Sequence, residues 1–226
     1  MTGRVAIVVG AGGELGLATV PKLTAAGFQV VGIDRSEAAL KRLGDSIRYE
    51  IGDATDPGTA RSLIDQIATE VGPPEVLVNT IGTYHLGDAL SATPDDLRLM
   101  MDVNLGTALW LTQAVTPHMR ERGSGAIVHV AARPGVEPTA GMATYGLSKA
   151  AVVHLVRVLD LELRPLGIRV NAIAPNLLDT DKTRPYLPPD LLAQAIEPAA
   201  AADVIAFLVS DAAASISGAV VPTYGP

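Results

Sequence analysis

Short, unbroken apolar runs alternate along this chain with longer stretches in which apolar residues recur every three to four positions. Residues 4–10 are β-branched and continuous, the pattern of a strand buried on both faces of a parallel sheet. The runs 29–33, 47–51, 75–79, 126–131 and 168–174 repeat that character, and 219–221 is a weaker seventh. Between them the period changes. Over 57–71, Ala60, Leu63, Ile64, Ile67, Ala68 and Val71 fall on one helical stripe, with Pro57 early, where a helix tolerates proline. Longer helical patterns cover 96–120, with a break expected near Pro117, and 145–163; a shorter one covers 199–209.

Strands alternating with helices predict βαβ units and a parallel sheet, and right-handed crossovers make it doubly wound. The expected fold is α/β: a mostly parallel, seven-stranded Rossmann-type sheet with helices on both faces. We expect residues 1–226 to form one domain, with no internal repeat, low-complexity tail or linker. Residues 176–198, rich in Pro, Asp and Thr and weakly periodic, are the expected lid.

Composition narrows the function. A formal net charge of -7 gives no electrostatic footprint for nucleic acid or an anionic membrane. With no cysteine, thiolate catalysis, disulfides and cysteine metal sites are excluded. Mean hydropathy is high at +0.31, yet no apolar run approaches the ~20 residues that span a bilayer. A sheet buried on both faces and subunit interfaces account for it. The start of the chain has no leader pattern, and a cytosolic protein is expected.

The first strand ends in Gly10-Ala11-Gly12-Gly13-Glu14-Leu15-Gly16. Glycines there allow a tight turn and close backbone approach to a pyrophosphate, at the N-terminus of the following helix. Eighteen residues beyond Gly16, at the end of the second strand, is Asp34. A carboxylate there can accept from adenosine ribose hydroxyls and would repel a 2′-phosphate, or it can cap a helix. Arg35 beside it could soften that preference for NAD(H), so NADP(H) is not excluded. Asp53, after the third strand, either touches the adenine edge or caps the helix near Pro57.

Tyr145 and Lys149 lie four apart, on one face of a helix. A phenol has a pKa near 10, and a neighbouring ammonium favours the phenolate, so the pair is a plausible acid–base group. The ordered set of motifs resembles the short-chain dehydrogenase/reductase family over nearly the whole chain. Gly10 and Gly16 match the outer glycines of the family's cofactor loop. Asn79-Thr80-Ile81-Gly82 is similar to its Asn-Asn-Ala-Gly segment, and Val103-Asn104-Leu105 to the segment carrying its active-site asparagine. Tyr145 and Lys149 match its Tyr-x-x-x-Lys. Residues 170–175 and Thr180 resemble the stretch that closes on the nicotinamide, and 207–212 with 216–218 its C-terminal segment.

The resemblance implies roles. Tyr145 would give or take the substrate's proton. Lys149 would bind the nicotinamide ribose and depress the pKa of Tyr145. Asn104 would hold a water relaying protons to Lys149, and Thr180 would contact the carboxamide. The cofactor contacts implied are Gly10, Gly12, Gly13, Glu14, Leu15, Gly16, Asp34, Arg35, Asp53, Ala54, Asn79, Ile81, Gly82, Tyr145, Lys149, Pro175, Leu177 and Thr180.

Three positions depart from the pattern. Thirteen residues before Tyr145, where the family has a serine that hydrogen-bonds the substrate oxygen, stands Ala132. Glu14 replaces the loop's middle glycine, and Asn176 follows Pro175 where glycine is usual. The dihydropteridine reductase branch of the family also has a Gly-x-x-Gly-x-Leu-Gly loop, an alanine for the serine and a preference for NADH. Residues 138–152 and 177–180 resemble that branch, whereas Asn79 and Asn104 resemble the general family. A substrate that carries its own polarisation, a quinonoid dihydropterin or an activated imine or enone, has less need of the missing donor.

Ala132, His85 and Asn176 are the candidate substrate contacts. His85, His118, His129 and His154 have no metal-ligand spacing, so no metal is expected. His129 reads as a core or interface residue, Arg133 as an ion pair, Trp110 as packing, and Asp179 and Asp181 as the lid's solvated edge. The leading expectation is an NADH-preferring reductase of a small activated C=O, C=N or C=C substrate. The alternatives are a general carbonyl reductase or alcohol dehydrogenase, and a cofactor-binding protein with vestigial chemistry. The resemblance implies pairing through the two long helices, around 104–120 and 145–163, and so a homodimer or homotetramer.

Overall fold

The computed structural model describes residues 3–181 and 183–225. Seven parallel strands form one sheet in the order β3-β2-β1-β4-β5-β6-β7. They are β1 (Arg4–Val9), β2 (Phe28–Asp34), β3 (Arg48–Ile51), β4 (Pro74–Asn79), β5 (Gly125–Val130), β6 (Ile168–Pro175) and β7 (Val220–Thr223). The helices between them are α1 (Glu14–Ala25), α2 (Glu37–Leu40), α3 (Pro57–Glu70), α4 (Pro94–Met100), α5 (Thr107–Arg122), α6 (Arg133–Val136), α7 (Ala143–Leu163), α8 (Pro189–Leu192) and α9 (Pro198–Val209).

The apolar runs work on both faces because successive strand residues point oppositely. Val5, Ile7 and Val9 of β1 pack with Leu77, Ile127, Val170 and the inner stripes of α3, α5 and α7. Ala6 and Val8 pack with Val76, Val128 and the inner residues of α1 and α9 on the opposite face. Each fully buried Ile or Leu of this kind contributes about 1.5–3 kcal/mol. No helix of the described residues is long and apolar enough to cross a membrane.

One helix differs from expectation. The pattern over 96–120 is interrupted at 101–106, a π-helical turn between α4 and α5, and not at Pro117, which lies inside α5. Pro117 lies in the second half of α5, and Thr112 and Thr116 before it bond back to carbonyls four residues earlier. The wider π turn instead shifts the helix register at Asn104, which is buried.

Candidate active site

Most of the predicted site residues lie at or just beyond the carboxyl end of a strand, while Asn104 lies on the π turn and Tyr145 and Lys149 on α7. The strand order reverses between β1 and β4, and it is outside such a reversal that open α/β sheets leave a crevice. Gly10 turns the chain there with φ of 79°, and the amides of Gly10 and Ala11 bond to Ile33 O at 2.8 and 3.0 Å. A Cβ on Gly16 would sit 2.3 Å from Gly10 O, so the loop folds back on the first turn of α1 only with glycine there. Gly13 is the N-cap of α1 and supplies no side-chain cap, which leaves the first-turn amides of this helix open to an anion. Glu14 fits in place of the family's glycine by pairing with Arg42 at 2.9 Å, and Leu15 is buried beneath it.

Asp34 faces this loop. Its Oδ2 accepts from Gly12 N at 3.2 Å and its Oδ1 from Ser36 N at 3.0 Å. The cap of α2 is Ser36, so Asp34 is not spent on capping. Asp56 likewise caps α3, through Thr59 N at 2.7 Å. The capping alternative for Asp53 therefore fails. Asp53 accepts from the backbone and the hydroxyl of Thr55, bonds that hold its carboxyl below the usual range. Arg35 is exposed and its charge acts on Asp53, while Ala54 is buried.

On the other side of β1, Asn79 is buried and shapes the loop after β4. Its Oδ1 accepts from Ile81 N at 3.0 Å and its Nδ2 donates to Thr107 Oγ1 at 3.3 Å. Asn104 then binds the same loop two residues on. It accepts from Thr83 N and donates to Thr83 O, both at 2.9 Å, and its second amide hydrogen goes to Ser148 Oγ at 2.9 Å. Ser148 in turn donates to Tyr145 O at 2.8 Å. Asn104 thus ties the β4 loop to the turn of α7 that carries Tyr145. Both amide hydrogens of Asn104 are used, so any water it holds would donate to Oδ1.

Lys149 is buried and donates to Val130 O at 2.8 Å, which leaves two of its ammonium hydrogens. A Cβ on Gly82 would lie 3.2 Å from Lys149 Nζ and 3.3 Å from Asn104 Oδ1, so the bare glycine keeps this corner open. Burial lowers the Lys149 pKa to about 8. Burial pushes the Tyr145 phenol up to about 12. The expectation of a depressed tyrosine is not met in the chain alone: desolvation governs the phenol, and Lys149 is committed to a carbonyl.

Ala132 is buried and is the N-cap of α6, which has no side-chain cap. Arg133 follows it, paired with Glu137 at 2.8 Å and stacked 4.9 Å from the Tyr224 ring. Trp110 packs against the core. His85 lies on the β4 loop with Nε2 3.7 Å from Asp96 Oδ1. After the buried Pro175, Asn176 N reaches Thr223 O at 3.4 Å. Leu177 O accepts from Ile196 N at 2.9 Å, and Thr180 Oγ1 meets Thr183 Oγ1 at 2.9 Å. Asp179 and Asp181 both pair with Arg184.

Two features were not legible in the motifs. Ser148 links Asn104 to Tyr145, and nothing in its spacing marks it. The short helix α6 packs so closely on α7 that a Cβ on Gly135 would lie 2.5 Å from Lys149 C. The open amides of α1, the Asp34 carboxylate and the two remaining Lys149 hydrogens form a donor and acceptor set that fits a dinucleotide: pyrophosphate, one ribose, then the other.

Comparison with known proteins agrees with this layout. Residues 4–189 match the family model described as short chain dehydrogenase. The chain is 34% identical to galactitol 2-dehydrogenase of Rhizobium johnstonii, over 98% of this chain and 93% of that protein. It is 32% identical to 3-alpha-(or 20-beta)-hydroxysteroid dehydrogenase of Mycobacterium tuberculosis, over 97% of this chain and 87% of that protein. An NAD+-bound xylitol dehydrogenase superposes with a TM-score of 0.90 at 26% identity, over 99% of this chain and 98% of that one.

Proposed function

The chain belongs to the short-chain dehydrogenase/reductase family, and on that premise we propose that it reduces a small, activated C=O, C=N or C=C group, with NAD(H) preferred and Tyr145 as proton donor. The observation that carries the reading is the half-buried phenol of Tyr145 one helical turn from the buried Lys149, whose ammonium borders Gly82 and Asn104. A nicotinamide dinucleotide bound here supplies the hydride. The open amides after Gly13 receive its pyrophosphate, and Asp34 accepts from the adenosine ribose and disfavours a 2′-phosphate. Lys149 offers a remaining hydrogen to the second ribose and, as an ammonium, favours proton loss from Tyr145 once substrate has accepted charge. Ser148 and Asn104 hold the turn that presents the phenol. The segment 176–198 closes over the cleft as a lid.

Ala132 sets the substrate class. It offers a methyl group where a hydroxyl would polarise the substrate oxygen, so the substrate brings its own polarisation. A quinonoid dihydropterin meets that requirement, in keeping with the loop of the dihydropteridine reductase branch. A second reading, a reversible alcohol dehydrogenase, is favoured by the galactitol, hydroxysteroid and xylitol dehydrogenases among the similar proteins.

The test is NADH oxidation with quinonoid dihydropterin, an enone and a ketone, comparing native protein with Tyr145→Phe. Turnover should fall by a factor on the order of 10²–10⁴ in the variant, the range for a general acid. NADH binding, read by nicotinamide fluorescence, should persist and exceed NADPH binding. Equal turnover by both proteins would end the assignment of Tyr145. Binding without turnover of any substrate would favour a regulatory role. We further propose a homodimer or homotetramer joined through the outer faces of α5 and α7, where Leu109, Pro117 and Leu159 line an open groove of about 390 Å³. A monomeric mass in solution would contradict it.

A further inference from the structure

His129 is more than a core residue. It sits on β5 with no solvent exposure, on the sheet face covered by α5 and α7. Its Nε2 lies 3.1 Å from Thr112 Oγ1. Thr112 donates its single hydroxyl hydrogen to Ala108 O at 2.8 Å, so toward the imidazole it can only accept. The histidine is therefore the Nε2–H tautomer, and Nδ1 carries a bare lone pair. That lone pair is buried and has no donor among the described residues. An unmet buried acceptor is costly unless something supplies a hydrogen.

The surroundings identify the donor. Lys149 is tied to the carbonyl of Val130, the residue next to His129, and two of its hydrogens remain. Lys149 is also the charged group whose field reaches His129, while β4 presents the uncharged Asn79 in register beside it and β6 presents Ala172. α5 contributes Thr112 and Ala108, both uncharged. Asn79, in register beside His129, keeps a second amide hydrogen beyond the one given to Thr107, so it too retains a hydrogen to donate.

We propose that His129 is a positioning residue for Lys149: one buried water accepts from the Lys149 ammonium and donates to His129 Nδ1, anchoring the lysine from beneath while its outer hydrogen faces the cofactor. This rests on the reading of Lys149 given above, and its first test is independent of that reading. Nitrogen NMR of the imidazole in the native, cofactor-free protein should show Nε2 protonated and Nδ1 as a hydrogen-bonded acceptor throughout the neutral range. A protonated Nδ1, or an Nδ1 with the shift of a free lone pair, would overturn the proposal whatever the enzyme reduces.

The second test is kinetic. In His129→Leu the ammonium loses an acceptor that favours its charged form, so the alkaline limb of the kcat profile should move down by about one pH unit. KM for NADH should rise. His129→Asn, which can donate to Thr112 and keep an acceptor toward Lys149, should restore the native profile. A profile unmoved in His129→Leu, with only a lower Tm, would reduce His129 to packing. If His129→Leu does not fold, the tautomer in the native protein decides the matter.

Discussion

At the scale of single residues, the proposed site is an acid with one donor removed. Tyr145, Lys149 and Asn104 stand where the motifs put them, each fixed by a named bond: Ser148 to Tyr145 O, Val130 O to Lys149, Thr83 to Asn104. Ala132 is the exception, a methyl group at the N-cap of α6 that leaves the helix without a side-chain cap. Ala132→Ser should restore both functions. Ser is favoured at an N-cap by about 0.5–2 kcal/mol over Ala, so Tm should rise or hold. A hydroxyl aimed at the substrate oxygen should raise kcat/KM for an unactivated ketone by up to 10²–10³, while an activated substrate gains little. Equal gains on both substrates would show that the missing donor does not choose between them.

At the scale of elements, the site depends on two irregularities. The π turn at 101–106 sets the register of Asn104, and α6 brings Ala132 against the helix carrying Tyr145 and Lys149. Gly135→Ala addresses the second. Its Cβ would lie 2.5 and 2.7 Å from Lys149 C and Cβ and 2.8 Å from Ala150 N, so α6 must move off α7. Overpacking of this kind costs about 1–3 kcal/mol, and Tm and kcat should fall together. Unchanged kcat would mean that the α6–α7 contact does not place Lys149. The strands, the glycine loop and the Tyr–Lys helix were legible because β-branched runs, glycine spacing and 3.6-residue stripes are local signals. The π turn was not: Met101 to Gly106 keeps a helical pattern, and the extra residue shows only when Asn104 finds Thr83 and Ser148 across the fold. The helix α6 spans four residues including Pro134 and Gly135, too short to show a period. The choice between ribose contact and cap at Asp34 and Asp53 also waited for Ser36 and Asp56 to take the capping positions.

At the scale of the whole molecule, the buried titratable groups beneath the cleft couple the site to stability. His129 is held neutral, its pKa lowered by burial, then by Lys149, to about 4 from an ordinary 6.5. The unfolded chain thus binds a proton between those values that the native protein refuses, so stability is fully present above pH 6.5 and is lost as pH falls toward 4. The loss amounts to roughly 3 kcal/mol for a fully buried imidazole shifted this far. Lys149 acts likewise at higher pH: stability rises from about 8 toward 10.5, where the unfolded chain still binds its proton. Tyr145 opposes it, since its native proton is retained up to about 12 and that contribution is lost above pH 10. The carboxyls of Asp53, Asp56, Asp96 and Asp160 are all held below 3.8, so they weaken the fold only in stronger acid. Of these shifted groups His129 alone titrates between 4 and 6.5. Thermal unfolding followed across that window should show Tm falling with acidification in the native protein and a flatter limb in His129→Asn, which has no proton to accept there. Parallel limbs in the two proteins would place the acid sensitivity elsewhere and remove the link between the buried imidazole and the fold.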